Sequence, residues 1–150
     1  MRVLLDTNIV LRYIQLDAEE HSAIETAIDT LLEQGAELCL VPQVMYEYWS
    51  AATRPYGAKN GLSMTSEETA SAVAELTATF KLLPDTPQLY DHWLYLVVAH
   101  QVMGKQVHDT RLVAAMKVHD LDALLTYNAG DFKRFDIRVL SPNTMNSETP

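Results

Sequence analysis

The sequence predicts an α/β fold: a mainly parallel sheet with helices on both faces. Short apolar runs at 2–5, 38–41, 123–126 and 137–140 read as strands buried on both sides, a pattern typical of parallel sheets. Segments with helical spacing of apolar residues lie between them, and strands alternating with helices imply βα units. The chain has 150 residues, enough for one domain with a substantial core, and 48% of them are apolar.

The first strand, Arg2 to Leu5, stops at Asp6, and a short helical pattern follows over 9–14. Ser22 and Glu25 have the spacing of a capping box, in which two side chains satisfy two free amides at a helix start. Behind them Ile24, Ala27, Ile28, Leu31 and Leu32 make one apolar face, and Gly35 ends the helix. After the second strand, Pro42 opens a helix carrying Val44, Glu47, Tyr48 and Ala51, which stops before Pro55. Residues 56–64 read as a loop. Thr65 and Glu68 form a second capping-box pattern, followed by Ala72, Val73, Leu76 and Phe80 on one face. A short strand at 81–83 precedes Pro84. The spacing then predicts a helix over 87–103, with Leu89, Trp93, Leu96, Val97 and Met103 inward and Gly104 as its stop. The next helix begins near Asp109 and ends at His119. Residues 127–135 form the loop between the last two strands. The domain is expected to span 1–140, with 141–150 a polar, frayed tail.

The charge balance is acidic: 11 Lys plus Arg against 20 Asp plus Glu, a net charge of −9. Strong nonspecific nucleic-acid binding relies on many basic contacts, so this balance argues against it. It does not argue against a nuclease, because cations held by acids reverse the local field. A basic protein partner would also suit such a surface. The single cysteine, Cys39, lies in a strand and reads as inert packing. No stretch approaches the length of a membrane span, and no cleavable signal is evident, so a reducing, cytoplasmic location is expected.

In open α/β sheets, ligands bind beyond the carboxyl ends of the strands. Four acids fall at that edge. Asp6 follows the first strand, Glu47 lies one turn into the helix after the second, Asp109 begins a helix, and Asp131 sits in the loop after the 123–126 strand. Clustered carboxylates repel one another unless a cation sits among them. A divalent metal is the economical answer, and phosphate-ester hydrolysis is the chemistry such sites commonly perform.

The segment 4–8 (LLDTN) resembles the opening of PIN-domain ribonucleases. Segment 41–47 (VPQVMYE) is similar to that family's strand-to-helix entry. Segment 108–115 (HDTRLVAA) resembles its central acidic helix, and 124–132 (LLTYNAGDF) its closing motif. Each motif is weak alone; the four in order, over residues 1–140, are specific. The compact outline looks most like VapC, the toxin of type II toxin–antitoxin modules. The resemblance implies a PIN-like three-layer α/β/α sandwich with a mainly parallel five-stranded sheet. It implies a Mg²⁺- or Mn²⁺-dependent endoribonuclease toxin leaving 5′-phosphate and 3′-hydroxyl ends. RNA substrate, a homodimer and neutralisation by a cognate antitoxin are implied as well.

On this reading Asp6 and Asp109 are the best direct metal ligands. Glu47 and Asp131 complete the shell through water or at a second site. Thr7 and Asn8 would support Asp6 or a metal water, and Thr126 and Asn128 would fix the loop carrying Asp131. Other readings stay open. Asp6 could cap a helix, Glu47 could be a solvated helix residue, Asp109 could be an N-cap, and Asn128 or Asp136 could be confused with Asp131. His108 is read as incidental, and Trp49, Trp93 and Tyr48 as packing. Arg12, Arg54, Lys133 and Arg134 could meet RNA phosphates or be solubilising charges. Rival functions are an aspartyl-phosphate enzyme, for which no suitable lysine is evident, and a PIN-like RNA- or protein-binding module without activity.

Overall fold

A computed structural model describes residues 1–147. Five strands alternate with helices: β1 (Arg2–Leu5), α1 (Thr7–Ile14), α2 (His21–Glu33), β2 (Glu37–Leu40), α3 (Pro42–Ala52), α4 (Ser66–Thr79), β3 (Lys81–Leu82), α5 (Leu89–Ala99), α6 (Gln106–Val118), β4 (Ala123–Leu125) and β5 (Arg138–Leu140). A 3₁₀ turn, Ala129–Phe132, joins the last two strands, and α7 (Pro142–Ser147) follows β5.

All pairings are parallel, in the order β3-β2-β1-β4-β5. The chain moves outward from β1 to β2 and β3, then crosses back to β4 and β5. Right-handed crossovers therefore put α1 to α4 on one face and α5 and α6 on the other. The contacts agree: α1 packs on α2 and α3, and α5 packs on α6. The sheet is thus the middle layer of an α/β/α sandwich. Its central strand is deeply buried, with Val3 and Leu4 fully covered and Leu5 nearly so, and the neighbouring β4 is fully covered throughout. Cys39 is buried beside it, and that burial pushes its thiol up to about 11, so it packs rather than reacts.

Several helix ends differ from the sequence reading. The pattern at Ser22 does not cap α2, which starts one residue earlier after Glu20; His21 and Glu25 make an i,i+4 pair at 3.2 Å instead. The Thr65–Glu68 box does form, with bonds of 3.1 and 3.0 Å. Helix α5 ends at Ala99, short of the expected Met103. Gln101 takes a left-handed φ of 51°, and the Val102 amide returns to the Val97 carbonyl at 3.0 Å. Met103 is consequently 81% exposed rather than inward. Helix α6 begins at Gln106, so Asp109 lies within its first turn and is not its cap. The expected frayed tail is a helix over Pro142–Ser147 packed on α2, while residues 148–150 lie outside the described residues.

The loop between α3 and α4 folds back on itself. The Ser63 amide bonds the Arg54 carbonyl at 2.8 Å, and the Tyr56 amide bonds Ser63 Oγ at 2.9 Å. This closure needs a residue without a side chain at position 61. A Cβ there would overlap the Pro55 carbonyl oxygen and lie 2.8 Å from that of Arg54. Gly61→Ala is expected to cost about 1–3 kcal/mol, the usual range for overpacking against a fixed backbone, read from urea unfolding. An unchanged midpoint would show that the loop can relax.

A candidate metal centre at the carboxyl edge

Strand order reverses at β1, whose neighbours are β2 and β4. This is a topological switch point, and the crevice beyond it holds the acids. Asp6 follows β1 directly and caps α1, its Oδ1 accepting from the Thr7 amide at 2.7 Å. Its Oδ2 accepts from Thr126 Oγ1 at 2.8 Å and from Asn8 Nδ2 at 3.2 Å. Asp6 is only 7% exposed and Thr126 is fully buried. Burial raises the Asp6 pKa above the ordinary carboxylate value, and Glu47 pushes the same way. The Thr126, Thr7 and Asn8 donors oppose that rise without cancelling it.

Glu47 is held at both oxygens. Oε1 accepts from Gln43 Nε2 at 2.7 Å, and Oε2 accepts from Thr7 Oγ1 at 3.0 Å. The Thr7 side chain therefore positions Glu47, while only its amide serves Asp6, which differs from the expected support of Asp6. Gln43 also donates to the His108 carbonyl at 2.8 Å, tying α3 to the turn that carries Asp109. The Asp109 pKa is pushed up to about 6, first by partial burial and then by Asp131, Asp6 and Glu47. The N-terminus of α6 favours a carboxylate there, yet burial and the neighbouring acids outweigh it.

Asp6, Glu47 and Asp109 line one cavity of about 310 Å³, together with Thr7, Asn8, Asn128, Arg54, Lys59 and Asn60. Asp131 does not line it. That residue is exposed on the 3₁₀ turn, anchored by buried Phe132, and acts on Asp109 through its charge. Thr126 Oγ1 also accepts from the Asn128 amide at 3.0 Å, so one hydroxyl links Asp6 to the start of the Asp131 turn. Asn8 Oδ1 accepts from the Tyr127 amide at 3.1 Å. His108 is exposed, and what it offers this network is its carbonyl.

The sequence reading did not single out Gln43 or Lys59. A glutamine four residues before Glu47 on a helix was a readable signal, since i and i+4 share a face. Lys59 gave none, because its place at the cavity depends on the folded loop.

A model of the PIN domain family matches residues 3–138. The chain belongs to the PIN domain family. No curated protein matches it by sequence. This PIN domain is similar in fold to the VapBC2 complex of Rickettsia felis bound to a promoter DNA fragment, with TM-score 0.71 and 14% identity over 94% of this chain and 98% of that one. It is also similar to VapBC-1 of nontypeable Haemophilus influenzae, with TM-score 0.69 and 19% identity over 95% and 99% of the two chains. VapC20 of Mycobacterium tuberculosis, described as a sarcin-ricin loop cleaving toxin, superposes with TM-score 0.63 and 14% identity over 87% and 93%.

The donors at this PIN domain's crevice suit a hard cation. They are carboxylate oxygens without cysteine or histidine. Among the described residues no three Asp, Glu, His or Cys side chains form a ready-made cage. Mg²⁺ asks for no such cage, since it keeps several waters and takes one or two carboxylates directly. The buried Asp6 and the raised pKa values mark negative charge that a cation would relieve.

That excess charge has a consequence for stability. The folded-state pKa of Asp109 is raised from 3.8 to about 6, so the folded chain holds this proton more tightly than the unfolded one. The resulting stabilisation is complete below about pH 4 and is lost as pH rises through about 6. Asp109→Asn should therefore raise the melting temperature at pH 7.5 in EDTA. The half-buried position and solvent screening limit the gain to about 1 kcal/mol, or roughly 2–4 °C. The gain should vanish near pH 4; a variant melting below wild type at pH 7.5 would contradict this account.

Proposed function

We propose that this PIN domain is a VapC-like endoribonuclease toxin using Mg²⁺ or Mn²⁺. The carrying observation is that Asp6, Glu47 and Asp109 line one cavity while Asp131 adds its charge to Asp109. Asp6 and Asp109 would hold the ion, with Glu47 and Asp131 completing its shell. When bound, the ion supplies Lewis acidity toward the phosphodiester and a more acidic water.

The chain's own contribution is preorganisation. Thr126 and Asn8 aim Asp6, and Gln43 and Thr7 aim Glu47, so neither carboxylate has to find its place when substrate arrives. The aspartyl-phosphate alternative fits less well. Lys59 does line the cavity, but both Asp6 oxygens already accept hydrogen bonds and the group is buried.

A cognate antitoxin would neutralise this activity by covering the acidic cavity, with a basic side chain near the metal site. The VapBC complexes of similar fold and the net charge of −9 support this. Exposed Tyr90, Leu94, Tyr95 and Val98 on α5 support a homodimer. No helix among the described residues is long and apolar enough to cross a membrane.

Wild type should cleave RNA with Mg²⁺, and Asp6→Ala should not. Thr126→Val should lose about 10- to 100-fold, the usual effect of removing a hydrogen-bond partner of a metal ligand. Equal cleavage by wild type and Asp6→Ala would dispose of the mechanism. Mn²⁺ titration separates an enzyme from an inactive binding module, because only the former should show saturable binding lost with Asp6 and Asp109.

A further inference from the structure

The acid-bearing cavity has two cations at its edge that pair with no acid among the described residues. Of the 11 basic side chains, Arg2, Arg12, Lys81 and Arg111 are ion-paired within 4.0 Å of a carboxylate. Arg54 and Lys59 are not among these pairs, although the cavity they line contains Asp6, Glu47 and Asp109. Had they served only to neutralise those acids, contact with them would be the natural outcome, since the attraction grows as separation falls.

The loop holds the Arg54 side chain and the Lys59 backbone where they are. Arg54 donates to Ser50 Oγ at 3.1 Å and to the Lys59 carbonyl at 3.2 Å, so its guanidinium is braced and still carries its full charge. Arg12 reaches across from α1 to bond Asn60 Oδ1 at 2.7 Å, pinning the tip of the loop. The Lys59 ammonium makes no hydrogen bond or ion pair among the described residues. Lys59 also borders a neighbouring cavity of about 670 Å³, which shares Asn8, Asn60 and Asn128 with the first and adds Arg12, Tyr127 and Asn143 together with the acids Glu19 and Glu20. The Tyr127 hydroxyl is buried without a hydrogen-bond partner among the described residues. The shared residues put Lys59 between the acids of the first cavity and a second cleft whose lining mixes amides with Arg12, Glu19 and Glu20.

We propose that Arg54 and Lys59 hold the backbone phosphates of single-stranded RNA beside the bond to be cut, where the acid cavity meets the neighbouring cleft along their shared amides. This rests on the nuclease reading given above. It explains how an acidic protein grips a polyanion: by two charges at the mouth of the site, one of them braced, rather than by a basic surface. Amide side chains along the cleft suit the edges of unstacked bases.

The test measures binding apart from cleavage. A fluorescein-labelled 20-nucleotide single-stranded RNA is titrated in EDTA between 25 and 200 mM salt. Each phosphate contact contributes about 0.7 to the slope of log affinity against log salt on a single strand. Lys59→Gln should lower the slope by about 0.7, and Arg54→Gln/Lys59→Gln by about 1.4. With Mg²⁺, Lys59→Gln should raise KM about tenfold, the scale of one charge-assisted hydrogen bond, and leave kcat within about twofold. Lys81→Gln, at the opposite edge of the sheet, removes the same charge and should change neither. The Lys59 side chain has no partner to lose among the described residues, so that variant should fold normally even if Arg54→Gln loosens the loop. Unchanged slopes in Lys59→Gln, with RNA still bound and cleaved, would overturn the proposal and leave the nuclease reading standing. The predicted slopes in a wild type that cleaves no RNA would support the proposal and sink the nuclease reading.

Discussion

One hydroxyl holds the site together. Thr126 Oγ1 donates to Asp6 Oδ2 at 2.8 Å and accepts from the Asn128 amide, joining the end of β1 to the end of β4 across the switch point. The residues are 120 positions apart in the chain, and both are buried. Buried carboxylates are tolerated only when their lone pairs are met, and here donors from two strand ends meet them. The same geometry fixes where the neighbouring acids stand, because Thr7 follows Asp6 and aims Glu47, while Gln43 links Glu47 to the α6 turn.

The arrangement opposes stability for the sake of function. Burial and mutual repulsion raise the pKa values of Asp6 and Asp109, so their charged forms destabilise the metal-free fold. The hydrophobic layers must offset this. Fully buried Leu4 in β1, Leu40 in β2 and Leu124 in β4 lie in the sheet directly behind the acids. A well-packed sheet with a strained polar edge is a common division of labour in α/β proteins.

Much of this was legible in the sequence, for physical reasons. An apolar run ending in Asp6 announces a buried strand and its exit. Pro42 opens α3 and Gly35 closes α2, as their backbone preferences require. Other parts resisted reading. Helix α5 stops at Gln101 in a left-handed conformation that glycine usually takes, so Gly104 was the misleading signal. Ser22 had the right spacing for a cap, but the cap position of α2 is Glu20, two residues earlier. The bond from Gln43 to Glu47 was readable from their i, i+4 spacing, but its bond to the His108 carbonyl was not, because it depends on where α6 lies in the fold. The distance of Asp131 from the cavity, and the nearness of Lys59 to it, belong to loop geometry that no local pattern encodes.

The closure of the 54–63 loop rests on excluded volume at Gly61 and on backbone bonds, neither of which responds to ionic strength or acidity, with side-chain bonds of Ser63, Arg54 and Arg12 added to them. A rim built this way keeps its shape whether the acids behind it are bare, protonated or neutralised. The width of the doorway is therefore set by backbone and excluded volume, while the charges of Arg54 and Lys59 act on whatever passes through it.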